Sequence, residues 1–355
     1  MQNKNPWIGM PTTRFQGSKK KLLPNLHPVF SELQFNSCLD AFGGTGAVSF
    51  LLRQMGKVVT YNDILPSNHI MAQALFTNAP VEIDEDFLQQ LFVAKKDFAY
   101  KKTVQDLYQD IYFTDEENQQ IDVLIQNVEL LSSKNLKNEI YYLLFQALLS
   151  KRPYNLFHRA NLNMRTNDVK RSFGNKVTWD KPIIEHCLKF LKELRLCRSL
   201  GGNTEMNFSN HSAFELNSEF DLVYLDTPYA KSKGTQESNY FNFYHFLDAL
   251  LVYQNIEKLV KHEVKHKPIY ECGKTWYPTE NIDEAFCKLF FRFKKSQLVT
   301  SYRSDGFPTV ERLTEILSQT HCDIQIIDIG DYKYALSTRK VETKEVVIIA
   351  QSKLR

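Results

Sequence analysis

The stretch that most constrains the fold is "SCLDAFGGTGAVSFLLRQMGKVVTYND", residues 37–63. A short apolar run (37–42) meets a glycine-rich turn, passes into the helical pattern "AVSFLLRQM", and ends in a second β-rich run, "KVVTYND" (57–63). Two strands joined by a crossing helix run parallel, because the chain has to travel back before the second strand can start. The glycines permit a tight turn and let a ligand approach the backbone closely. The second strand ends in Asn62-Asp63, which sets a carboxylate beside the glycine loop. That is the carboxyl edge of the sheet, where ligands of open α/β sheets bind.

From about residue 80 the pattern changes. "DEENQQIDVLIQNVELL" and "NLKNEIYYLLFQALL" carry apolar residues three and four apart, the period of a helix face. Thr114-x-x-Glu117 has the spacing of a capping box. With no β-rich run in between, residues 76–204 are predicted to be a mostly helical insert. After residue 205 the strand–helix alternation resumes. "FDLVYLD" and "SQLVTSY" read as buried strands, and "FYHFLDALLVY" and "PTVERLTEILSQ" as helices. "DIQIIDI" and "EVVIIA" are expected to close the chain as antiparallel edge strands. The predicted fold is α/β: a doubly wound, Rossmann-like sheet from residues 1–75 and 205–355, split by the insert.

Composition narrows the class. The six cysteines form no C-x-x-C pair, which argues against a zinc site and a disulfide framework and suits a reducing compartment. No metal is expected. No apolar run approaches the roughly 18–20 residues needed to span a bilayer. The opening "MQNKNPWIGMPTTRFQGSKKKLL" has no signal-peptide core. The expectation is a cytoplasmic protein without membrane contact. A formal charge of +3 names no partner by its size, so the distribution of charge matters more than the total.

Two places carry chemistry. "DAFGGTG" lacks the third glycine of a pyrophosphate-binding loop, because Ser49 stands at that position. With Asp63 accepting ribose hydroxyls, the pattern suits a nucleoside without a diphosphate, such as S-adenosylmethionine. The other reading of Asp63 is a turn acid ahead of Pro66. "DLVYLDTPY" then brings Asp226-Thr227-Pro228-Tyr229 to the end of a second parallel strand. The exocyclic amine of a base is a poor nucleophile, because its lone pair is conjugated into the ring. A carboxylate (Asp226) and a backbone carbonyl (Thr227) that accept its two hydrogens turn that lone pair toward a methyl donor, by positioning and electrostatics alone. Pro228 stiffens the corner, and Tyr229 stacks on a base flipped from the duplex. The other reading of this corner is a strand ending in an ordinary turn.

In order, "RFQGSKKKLLP", "DAFGGTG", "YND", "LDTPYA", "NYFNFYHFLDALL" and "LVTSYRSDGFP" resemble the Dam-like (class alpha) family of adenine-N6 DNA methyltransferases, which includes the modification halves of restriction systems. The resemblance implies that Phe15 and Lys19 hold the donor's methionine end. It also implies that Asp40, Phe42, Gly44 and Gly46 form the donor loop, with Asp63 on the ribose and Asp226 at the reacting methyl. Tyr240 and Phe243 are candidates for the base pocket or for core. The segment "NFSNHSAFE" offers Asn210 and Ser212 where a donor-adenine contact belongs, but no aspartate. Thr227 replaces the commoner first proline of the family's tetrad. Cytosine-N4 methylation and a catalytically inactive DNA-binding relative remain the alternatives.

Residues 150–176 concentrate Lys151, Arg152, Arg159, Arg165, Lys170, Arg171 and Lys176, with Asp168 the one acid and Tyr154, Phe157 and Phe173 interleaved. Such a segment neutralises phosphates and reads base edges, or else it is a solvated connecting loop. The candidate DNA contacts are Lys151, Arg152, Tyr154, Asn155, Arg159, Asn161, Arg165 and Arg171, in the place of the family's target-recognition loop. The expected partners are double-stranded DNA and a cognate endonuclease that acts on the same site without a stable complex, the enzyme working as a monomer.

Overall fold

A computed structural model describes residues 10–12, 15–167, 176–230, 239–271, 273–278, 281–331 and 344–354. Among the described residues seven strands form one sheet: β1 (Ser37–Asp40), β2 (Val58–Asn62), β3 (Met206–Ser209), β4 (Leu222–Leu225), β5 (Gln297–Arg303), β6 (His321–Asp331) and β7 (Lys344–Ser352). Their order is β3-β2-β1-β4-β5-β7-β6. The pairs β1–β2, β1–β4, β2–β3 and β4–β5 are parallel, and β7 runs antiparallel to both β5 and β6. The chain is thus mixed α/β, as its sequence predicts.

The C-terminal strands need a correction. They pair with each other antiparallel as expected, but only β6 is an edge strand: β7 lies inside the sheet, between β5 and β6. The cause lies in their faces. β7 is buried on both sides over Glu345–Ala350, so it has to be covered by neighbours on both edges and helices on both faces. β6 exposes residues such as Ile326, and an edge position tolerates that.

Alternation along β4 separates two core layers. Leu222 and Tyr224 join the helices Leu23–Ser31, Ala47–Gln54 and Pro66–Phe76. Val223 and Leu225 join Ile282–Arg292 and Val310–Leu317 on the other face. Between β2 and β3 the described residues are helical or irregular, with the helices Asp115–Glu129, Lys134–Lys151 and Ile183–Leu200 the longest. Lys134–Lys151 is buried almost all round, as a helix enclosed by others must be, and packs along Pro66–Phe76 and Ile183–Leu200. Leu88, Leu124, Phe145 and Leu191 share one continuous core with Phe50 and Tyr224 of the sheet layer. The predicted capping box forms: Thr114 Oγ1 accepts from Glu117 N at 3.3 Å, and Glu117 Oε2 accepts from Thr114 N at 3.0 Å.

Parallel pairing sets the site. Asp40 is in register with Tyr61 on one side and Tyr224 on the other. Asp63 and Asp226 each lie two residues beyond those partners, so three acids arrive at the same carboxyl edge.

Candidate active site

Asp40, Asp63 and Asp226 line one cavity of about 900 Å³, counting its open mouth, together with Phe15, Phe42 and the glycine loop. That is the size and the place expected of a ligand site in such a sheet. The loop's glycines are needed for conformation and for space. Gly44 and Gly46 have φ of +51° and +73°, and a Cβ on Gly46 would sit 2.4 Å from the Phe76 ring. Asp40 Oδ2 accepts from Ser49 N (3.2 Å) and Ser49 Oγ (2.7 Å), pinning the first turn of Ala47–Gln54 to the end of β1. Asp63 accepts from Gly44 N (2.8 Å) and Leu65 N (2.9 Å), one amide on each oxygen. It is therefore a turn acid and a cavity-lining acid at once, since each carboxylate oxygen keeps a further lone pair.

Two acceptors of the cavity wall, Asp40 Oδ1 and Asn68 Oδ1, are buried without a hydrogen-bond partner among the described residues. Buried acceptors left unpaired cost free energy, so a ligand with donor groups and positive charge fits here. Burial, opposed by the Ser49 hydrogen bonds, pushes the Asp40 carboxyl up to about 7. A neighbouring cation would draw it back down.

At the next corner the first motif meets the last strand. Lys19 Nζ lies 2.8 Å from Asp226 Oδ1, 3.1 Å from Glu345 Oε1 and 3.0 Å from the Tyr229 hydroxyl. Tyr229 donates to Glu345 Oε1 (2.9 Å) and lies 3.3 Å from Asp226 Oδ1. Lys19 was expected, from the resemblance, to hold the donor's methionine end. Its side chain lines the cavity, with the ammonium between Asp226 and Glu345. Phe15 stacks on Tyr244 with ring centroids 4.1 Å apart and faces the cavity. Tyr240 also lines the cavity, whereas Phe243 packs against His158 and Tyr240 outside it. Neither Asn210 nor Ser212 reaches the cavity; Asn210 spends its amide on the Asp63 carbonyl at 2.7 Å.

Thr227 is buried, and its hydroxyl has no partner among the described residues. Removing an unpaired buried hydroxyl is close to neutral for stability. Thr227→Pro is therefore expected to keep kcat within about 3-fold of wild type, if only the main-chain carbonyl takes part. A large loss in a folded variant, checked by circular dichroism beside the turnover assay, would give the hydroxyl a role of its own.

The basic segment is placed differently from its sequence reading. Lys151, Arg152 and Arg165 are buried and turned inward. Lys151 Nζ and Arg165 Nη2 lie 2.8 and 2.6 Å from Glu117 Oε1, and Lys151 also bonds the carbonyls of Trp179 and Lys181. Arg152 donates to the carbonyls of Leu156 (3.1 Å) and Arg159 (3.0 Å) and to Asn161 Oδ1, and its guanidinium lies over Tyr112. These three cannot reach phosphates without unfolding their surroundings, so their assignment as DNA contacts is corrected to a structural one. Tyr154 and Arg159 are exposed, and Asn155 and Asn161 are partly so. Tyr154 and Asn155 both have φ near +60°, a loop geometry that Asn155 fixes by donating to the Leu149 carbonyl at 2.8 Å. Arg171 lies outside the described residues.

Two residues escape the sequence reading. Trp276 stacks on Phe214 and meets the Phe42 edge at 5.2 Å, completing an aromatic wall of the cavity. Glu345 comes from β7; no local pattern marks either of them. Among known proteins, the family model of D12 class N6 adenine-specific DNA methyltransferase matches residues 15–290. The chain is also 25% identical to the type II methyltransferase M2.HphI of Haemophilus parahaemolyticus, over 97% of its own length and 98% of that protein's. The family match spans the glycine loop, the three acids and the Asp226 corner, and the chain belongs to the D12 class of N6 adenine-specific DNA methyltransferases.

Proposed function

We propose that this enzyme is the modification member of a restriction–modification pair, transferring the methyl of S-adenosylmethionine to N6 of an adenine flipped out of duplex DNA at one specific sequence. What carries the reading is that Asp226 and the Gly44 loop open into one cavity. When bound, S-adenosylmethionine supplies a methyl group on a positively charged sulfur. Phe42, Gly44, Asp63 and the unpaired Asp40 and Asn68 oxygens would hold its nucleoside and its ammonium. Asp226 would accept one hydrogen of the adenine amine and the Thr227 carbonyl the other, directing the nitrogen lone pair at the methyl. Pro228 would keep that carbonyl in place. The Tyr229 ring would bound the base pocket.

Residues 76–204 would form the part that reads the target. Within them Tyr154, Asn155, Arg159 and Asn161 are the contacts we propose, on a loop shaped from beneath by buried Arg152. An exposed aromatic held in a fixed turn suits insertion into the base stack. The similarity to a type II methyltransferase supports a cognate endonuclease reading the same sequence. Single-molecule sequencing of DNA from cells carrying this gene tests the proposal. The expected result is N6-methyladenine at one recurring sequence. Absence of modified adenine, or its scatter over unrelated sequences, would reject it.

A further inference from the structure

We propose that Glu345 is a positioning residue of the methyl-transfer site, holding Lys19 and Tyr229 against Asp226 so that one oxygen of that carboxylate is left for the adenine amine. The inference rests on the reading of Asp226 as the acid that accepts from the amine. Glu345 lies outside the residues that the family model matches. It enters the site from β7, paired in register with Arg303 of β5.

The geometry is that of a buried bracket. Glu345 is fully buried, and its Oε1 takes both the Lys19 ammonium at 3.1 Å and the Tyr229 hydroxyl at 2.9 Å. Lys19 is 4% exposed, while Asp226 keeps 15% of its side chain open. A lysine ammonium on a four-carbon stem is a poorly oriented point charge unless several acceptors fix it. Here Glu345 and Asp226 share it, and Tyr229 closes the ring. Every described contact to Asp226 falls on Oδ1. Oδ2 has no partner among the described residues, and Asp226 lines the cavity beside Lys19 and Tyr229, with the larger exposed share of the two acids.

A carboxylate buried among hydrophobic strands is costly unless something requires it. β7 is otherwise apolar through Val346–Ala350, and Glu345 is its one buried charge. With Glu345 removed, Lys19 would swing fully onto Asp226, and the Tyr229 hydroxyl would turn to the same carboxylate. Both would compete with the amine for it. The loss would then appear in the chemical step, with donor and DNA binding left alone.

The test uses the full-length enzyme in single-turnover methylation of duplex DNA carrying the sequence modified in cells, with N6-methyladenine quantified. E345Q keeps the shape and one acceptor, and is expected to slow the methyl-transfer step about 10-fold. E345A is expected to slow it about 100-fold, with the dissociation constants for S-adenosylmethionine and DNA changed by less than about 3-fold. In a K19M background, E345A should add less than about 3-fold, because residues of one network do not act independently. Wild-type rates in both variants, independent losses in the double variant, or losses confined to donor binding would overturn the inference. Where E345A fails to fold, the isosteric E345Q and its double variant with K19M decide the matter alone. Wild-type enzyme that forms no N6-methyladenine in the same assay would instead overturn the functional reading, and this inference with it.

Discussion

Asp226→Ala is expected to lower kcat by about 10³-fold, the scale set by removing a positioned charge at a reacting centre. The fold should survive, because Lys19 keeps Glu345 as an acceptor at 3.1 Å and Asp226 is the more open of its two acids. Dissociation constants for donor and DNA should stay within about 3-fold, because the proposed role of the residue is on the amine and not on the ribose or the phosphates. The wild-type pH profile carries a related signature. Burial, helped by Glu345 and opposed by Lys19, pushes the Asp226 carboxyl up to about 6. The ionised form is the one that draws on the amine hydrogen, so the rate should fall as pH drops through about 6, by about tenfold per pH unit below it. A variant that retained turnover, or a profile flat down to pH 5, would place the chemistry elsewhere.

Glu117→Ala is expected to cost about 3–5 kcal/mol of stability, the usual result of stripping the partner from buried charge. Glu117 holds two cations, Lys151 and Arg165, whose side chains are only 2% and 6% exposed. It also closes the capping box at Thr114. The alanine variant loses the cap and takes the Glu117 carboxylate from both charges, which keep hydrogen bonds to backbone carbonyls. The pH dependence has a definite sign. Burial raises the Glu117 carboxyl, but Arg165 and Lys151 outweigh it and hold it below its ordinary value of 4.5. Its contribution is thus complete above that value and lost as pH falls through the lower, folded one. Urea unfolding should show the full gap between variant and wild type at pH 7 and a narrower one below pH 4. Equal gaps at both, or a change under about 1 kcal/mol, would mean the two cations find other partners.

The same pair of cases marks what could be read from the chain alone. The crossing unit from Ser37 to Asn62, the glycine loop and the Asp226 corner are local: spacing, turn residues and strand ends specify them within a few positions. The three acids meet because β1, β2 and β4 are parallel, and parallel order follows from the helices between them. Charge partners are a different matter. Lys151, Arg152 and Arg165 look like a phosphate-binding patch when counted along the segment. Their direction depends on Glu117, which sits on another helix, and on carbonyls that become available only after the chain folds back. Lys19 and Glu345 lie almost the whole chain apart, and no periodicity links them. The inner position of β7 likewise depends on which edge of β5 is open when the C-terminus arrives. Sequence shows which groups carry charge, while the tertiary pairing decides which of them face solvent.

The most direct measurement is to incubate the protein with duplex DNA and S-adenosylmethionine labelled in its methyl group, digest the DNA and identify the labelled nucleoside. Label in N6-methyladenine with wild-type protein, reduced about 10³-fold with Asp226→Ala, is the predicted result. Label in N4-methylcytosine, or equal label in N6-methyladenine from both proteins, would contradict it.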